Sequence, residues 1–212
     1  MTRTPVVVVA VLSLVLGAAA PAVAAPDVTW SVVPANAIGP DGRRVVDFEL
    51  EAGKKATEHV AVTNHTAAPV EFLVDANDGY LTASGLFDIR AADAEPVDGG
   101  SWITTPDTVT VAGGATGVVP VTIEVPAGAT PGDHPAGVTA SLNTRNGLVQ
   151  VQHRVGVRFN IRVTGAFVEK LVISGAAVRY RPSWNPFRPG SLDVSYQVGN
   201  AGNIRASADG RI

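Results

Sequence analysis

The most regular feature of this 212-residue chain is a long alternation in its middle. Val149, Val151, His153, Val155, Val157, Phe159, Ile161 and Val163 hold the odd positions; Gln150, Gln152, Arg154, Gly156, Arg158, Asn160 and Arg162 hold the even ones. Successive side chains of a β-strand point to opposite faces, so the run predicts one strand with a core face and a wet face. Gly156 within it predicts a bend or bulge at a sheet corner. His153, on the apolar parity, is expected as a hydrogen-bonded core histidine. Shorter runs repeat the theme: Val60 and Val62; Val70, Phe72 and Val74; Val119, Val121, Ile123 and Val125; Val138, Ala140 and Leu142. Turn signals separate them at residues 64–69, Asn77-Asp78-Gly79, Gly113-Gly114, residues 126–135 and Asn146-Gly147. The last falls between two alternating runs and predicts a hairpin. Pro120 lacks an amide hydrogen, so its strand should be an edge or carry it at a non-pairing position. No window after the N-terminal leader sustains a helical period. About seven short strands over roughly 140 residues predict an all-β, immunoglobulin-like β-sandwich.

The two ends depart from this pattern. Arg3 precedes an apolar run over residues 6–16, broken by Ser13, and small residues follow over 17–25. Ala22-Val23-Ala24 fits a small-x-small cleavage pattern, which predicts an export signal over residues 1–24 with the cut after Ala24. The apolar run is well short of the ~20 residues that span a bilayer. The sandwich is assigned to residues 26–165. Beyond it, Leu171-Val172-Ile173, Val178 and Tyr180 precede a Pro-rich loop, and Val194, Tyr196 and Val198 follow it. Two or three strands bury too little apolar area to stand alone. Residues 166–212 are therefore expected to begin a second, incomplete β-sandwich.

Charge divides at the same boundary. Residues 27–165 carry 9 Lys and Arg against 16 Asp and Glu, whereas residues 166–212 carry 6 against 3. A net charge of −3 over the chain offers no basic excess for nucleic acid. There is no Cys, which removes disulfides, thiol nucleophiles and Cys-ligated metals.

Candidate chemistry is sparse. Asp75 to Gly79 misses the calcium-loop spacing, because Gly79 stands fifth and Leu86 occupies the twelfth position, so a turn is expected there. His59, His65, His134 and His153 lack zinc-site spacing. Ser84 is not in a nucleophile elbow, and Gly53-Lys54-Lys55-Ala56 is not a phosphate loop. Asn64-His65-Thr66 has the form of a glycosylation acceptor but doubles as a turn. No catalytic residue, metal or cofactor is assigned. Arg154, Arg158 and Arg162 form the one functional-looking set. Residues four apart on a strand share a face about 13 Å apart, so they predict a basic ridge able to grip carboxylates or phosphates. A solvated face paired with nearby Asp and Glu is the plainer alternative. Trp184 and Phe187 are candidate binding aromatics, or anchors of their loop against the second sandwich.

Several segments in order also resemble the WxL-interacting protein family, in the actinobacterial form of its N-terminal peptidoglycan-binding domain. They are Val28-Thr29-Trp30-Ser31-Val32-Val33-Pro34, residues 48–53, Val62-Thr63-Asn64-His65-Thr66, Gly85-Leu86-Phe87-Asp88 and Gly100-Ser101-Trp102-Ile103, then Ala129-Thr130-Pro131-Gly132-Asp133-His134 and Gly137-Val138. Residues 196–203 are similar to the opening of that family's second domain. The resemblance implies a cell-surface protein, without enzymatic activity, that binds cell-wall polymer (peptidoglycan or teichoic acid) and WxL-type surface proteins. In the family a membrane anchor follows the second sandwich. Two other readings of the residues stay open. One is a chaperone-like interaction module that uses an edge strand; the other is an accessory domain of a larger exported enzyme.

Overall fold

The computed structural model describes residues 28–146, 149–185 and 187–206. The expected export signal and its cut after Ala24 lie outside the described residues, as do Gly147 and Leu148 at the expected hairpin tip. The chain folds as an immunoglobulin-like β-sandwich followed by a two-stranded ribbon. One sheet has the order β1 (Trp30–Ala35), β3 (Lys55–Asn64), β8 (Thr116–Glu124), β6 (Ile103–Thr104). The other runs β2 (Val46–Leu50), β10 (Val149–Val163), β9 (Gly132–Asn146), β4 (Val70–Leu81), β5 (Phe87–Ile89), with β7 (Thr108–Val111) also on β4. The ribbon pairs β11 (Leu171–Arg181) with β12 (Ser191–Asn200).

Alternation builds the core as predicted. Val60 and Val62 of β3, Phe72 and Val74 of β4, Val119, Val121 and Ile123 of β8, Val138 and Ala140 of β9, and Val157, Phe159, Ile161 and Val163 of β10 all face inward. Phe72 and Phe159 are the largest fully buried side chains, and Trp30 packs on Phe72 with ring centroids 5.5 Å apart. Pro120 meets its requirement. β6 pairs only with Thr122 and Ile123, so the outer side of β8 is open where the proline stands.

Three expectations are corrected. β9 and β10 pair without a register shift from Asn146↔Val149 to Gly132↔Val163, so there is no bulge at Gly156. The glycine is needed for a close approach instead. A Cβ on Gly156 would lie 2.9 Å from Ile89 Cδ1, and one on Gly137 would lie 2.2 Å from the same atom. These two glycines form a slot that Ile89 fills. Secondly, His153 is exposed rather than buried, because over residues 151–163 of β10 full burial begins only at Val157. Thirdly, Asn77-Asp78-Gly79 is not a turn but the interior of β4. Trp184 and Phe187 are almost fully exposed, in keeping with the first of the two alternatives raised for them.

The buried polar groups explain how the connections are held. Asn64, at 0% exposure, donates through Nδ2 to the carbonyls of Ala68 and Val111 and accepts from Thr66 N–H and Oγ1–H. It closes the β3–β4 turn, and the acceptor pattern it belongs to is inside the protein. Asn77 donates to the carbonyls of Ala91 and Ala94, and the Asp78 carboxylate accepts from the N–H groups of Val97, Asp98 and Gly100. Together they fasten the long β5–β6 connection over the sheet. Asn203 ties the ribbon to the sandwich by donating to Pro131 O and Ala166 O, and its carbonyl accepts from Asp133 N–H.

His134 marks a further tie. Its Nδ1 lies 2.5 Å from Asp98 Oδ1 and its Nε2 lies 2.9 Å from Thr130 O. Both neighbours only accept, so both ring nitrogens donate and the imidazolium is favoured. The Asp98 hydrogen bond raises the His134 pKa above 6.5; burial opposes the shift and the Thr130 carbonyl reinforces it. A raised folded pKa stabilises fully below the unfolded value and less as pH climbs through the folded one. Urea midpoints should therefore decline from about pH 6.5 upward, and His134→Asn should remove that decline.

Candidate functional site

The sheets differ in how their edges are closed. β1 pairs only with β3 and carries Pro34, and the open part of β8 carries Pro120. Proline on an edge removes a donor and blunts pairing. β2 is five residues long with Asp47 and Glu49 exposed, and β5 and β7 are three and four residues long. β10 is different. Its whole length pairs with β9, but β2 joins its other side only from Phe159↔Val46 to Val163↔Leu50. Over residues 152–158, β9 is its one strand partner among the described residues, and that stretch holds neither proline nor carboxylate. The cause lies in the N-terminal segment, which starts in one sheet as β1 and crosses to the other as β2. Arg43 fixes the crossover by pairing with Asp41 and Glu58 and donating to Ala35 O.

The structure places Arg154, Arg158 and Arg162 on the outer face of β10, as their spacing predicts, but the β5–β6 connection and the β9 strand occupy two of them. Arg162 grips Asp133 in a fork, with Nε–Oδ1 at 2.6 Å and NH2–Oδ2 at 2.9 Å. Burial works to raise the Asp133 pKa, yet Arg162 and the Arg205 N–H hold it below the usual carboxylate value. Arg154 donates to Arg90 O at 2.8 Å and stands 3.8 Å from Asp75. Arg158 lies over the Phe87 ring, 4.2 Å from its centroid, and its Nε donates to Asn160 Oδ1. Phe87 in turn rests on Gly79, where a Cβ would come within 2.4 Å of the ring.

No family model matches the chain, and no curated protein matches it. Solved structures with similar sandwiches include a chain from the Salmonella enterica SafA pilin–SafB chaperone complex, at 10% identity and TM-score 0.44, covering 76% of this chain and 71% of that one. The CupB2 chaperone of Pseudomonas aeruginosa gives 12% identity and TM-score 0.38 over 74% of this chain and 83% of its own. PapD-like domain 7 of human CEP192 gives 12% and 0.38, over 73% of this chain and 99% of its own. At these values the likeness concerns the sandwich and does not extend to function.

The sequence assigns no site role to Phe87, Asp133, Asn160 and Arg205, which surround Arg158 in space. They come from four separate parts of the chain, and periodicity cannot bring such parts together. Asn160 carried a signal: an amide between Arg158 and Arg162 on the polar parity is placed to accept from one arginine.

The ribbon presents a different surface. Ile173 pairs with Val198, Val178 with Val194 and Tyr180 with Leu192, which places these side chains and Tyr196 on one largely exposed face. Arg179, Asp193 and Gln197 occupy the other.

Proposed function

We propose that the chain is a non-enzymatic, exported protein-binding module that takes an extended segment of a partner along β10. The observation that carries this reading is the contrast among edges. Within the sandwich two edges are blunted by proline and four are short, β6 at two residues included, whereas β10 has no ladder partner on its β2 side over residues 152–158. In the ribbon, β11 and β12 are each paired on one side only among the described residues. An added strand gains affinity from main-chain hydrogen bonds, each worth about 0.5–1.5 kcal/mol net, and specificity from alternate side chains. Half-buried Val155 and buried Val157 offer apolar neighbours on the inner side of such a strand. The leader pattern ending at Ala24 supports export. Binding of cell-wall polymer and of WxL-type proteins has the segment resemblance behind it, while the arginines expected to serve the polymer are largely engaged within the fold.

Extended peptides selected from a displayed library should protect the amides of residues 152–158 from hydrogen exchange. His153→Lys places a charge of the kind that guards natural edges at an exposed position. It should weaken those peptides at least tenfold and leave the thermal midpoint unchanged. Protection confined to other strands, or unaltered binding by the lysine variant, would refute the edge assignment.

A further inference from the structure

The outer face of β10 holds a cation, Arg158, that rests on the Phe87 ring and has no carboxylate in direct contact among the described residues. Arg158 is partly buried, and among the described residues it makes no ion pair. Its Nε donates to Asn160 Oδ1 at 2.6 Å, and Asn160 Nδ2 donates to Asp47 at 2.6 Å, so one neighbouring carboxylate is reached only through an amide. The other, Asp133, is taken by the Arg162 fork and by the Arg205 backbone N–H at 2.6 Å. The Arg205 guanidinium is itself loosely held, 3.4 Å from Asp47 and 3.6 Å from Asp133, with its side chain half exposed. Burial lowers the Arg158 pKa, and the Arg205 charge adds to that, against the opposing pull of Asp47 and Asp133.

Beside these two guanidinium groups lies a depression of about 110 Å³, with Tyr80, Leu81, Phe87 and Pro135 as its apolar wall and Asn160 and the Arg162-bound Asp133 also on its lining. A partly buried charge is costly until an anion pairs with it, and a guanidinium fork matches the two oxygens of a carboxylate. The apolar wall suits a few carbon atoms attached to that anion. We propose that this depression binds a carboxylate carried on a short apolar body, with its oxygens between Arg158 and Arg205 and its carbons against Phe87 and Leu81. This site stands on the outer face and does not depend on strand addition at the edge of β10.

The probe is 3-methylbutanoate, titrated into the ¹⁵N-labelled chain while the arginine Nε–H signals are followed by NMR. Saturable shifts of Arg158 and Arg205 are expected, weaker at high salt and absent with 3-methylbutanamide. Arg158→Gln and Arg205→Gln should each weaken binding at least tenfold, and Arg188→Gln on the ribbon loop should not. The exposed Arg205 keeps the test available should Arg158→Gln fold poorly. Two amidated, acetylated Leu-rich pentapeptides, one with a central Glu and one with Gln, distinguish the source of the carboxylate. Tighter binding of the Glu peptide than of the free acid assigns the site to an acidic side chain of a protein; the reverse order assigns it to a free small acid. Equal binding of acid and amide, absence of saturable shifts, or unchanged binding by both Gln variants would overturn the site.

Discussion

Replacing Asp78 with alanine should lower the stability of the chain by about 3–4 kcal/mol, read as a drop of more than about 1 M in the urea midpoint. Asp78 is 4% exposed and stands on the same parity of β4 as Phe72 and Val74. Its Oδ1 accepts from Gly100 N–H at 2.8 Å and its Oδ2 from Val97 N–H at 2.8 Å, while Asp98 N–H is shared between them at 3.1 and 3.2 Å. Truncation would strand three donors that face a packed surface, where water can replace the lost acceptor only if the connection lifts. The connection has little freedom to adjust, since even a Cβ on Gly100 would lie 2.3 Å from the Asn77 carbonyl carbon. Asp78→Asn should recover less than half of the loss, because one of its two terminal atoms becomes a donor aimed at donors. Amides 97, 98 and 100 should lose exchange protection before the β3–β8 ladder does. A midpoint within about 0.3 M of the parent would show that the connection holds without the carboxylate.

Asp78 also shows where reading the sequence by residue type fails. Asn, Asp and Gly favour turns because they tolerate positive φ and hydrogen-bond locally. Here Asn77 and Asp78 have extended neighbours on both sides and spend their side chains on distant backbone groups, at residues 91, 94, 97, 98 and 100. Tertiary demand for buried acceptors and donors outweighs local preference. By contrast, the β8 and β10 patterns were legible because a sheet between core and water imposes a strict period of two. The same period was present in Val46, Phe48 and Leu50, yet β2 went unassigned, since five residues next to a crossover give a short signal.

Alternation also assigns a face without assigning its depth. His153 and Val151 share the parity of Phe159, but the opposing sheet does not cover that end of the β9–β10 hairpin. The open edge of β10 was illegible for a related reason: it depends on where β2 begins to pair, a fact of topology. The basic ridge was legible as a face but not as a set of contacts. Asp133, which binds Arg162, sits opposite it in the β9 register, and Asp47 lies on β2, so both partners become visible only once the strands are aligned.

Phe159→Ala should cost about 3–5 kcal/mol, the usual range for a large aromatic removed from a full core. The side chain is 0% exposed and lies where three strands meet, paired with Ala136 on β9 and Val46 on β2. Ala136 is small, so the surroundings can supply little volume to fill the space. Phe159→Leu retains most of the bulk and should cost no more than about 1.5 kcal/mol. The loss should also be unequal in space. β10 is held to β9 over its whole length but to β2 over only five residue pairs, of which Phe159↔Val46 is the first. Exchange at amides 46–50 should therefore accelerate more than at amides 132–142 in the alanine variant. If β2 loosens in this way, the open stretch of β10 lengthens toward Val163, and extended peptides should bind the alanine variant over more residues than they bind the parent. Uniform loosening of both neighbours would mean that Phe159 stabilises the core as a whole without setting where the edge of β10 closes.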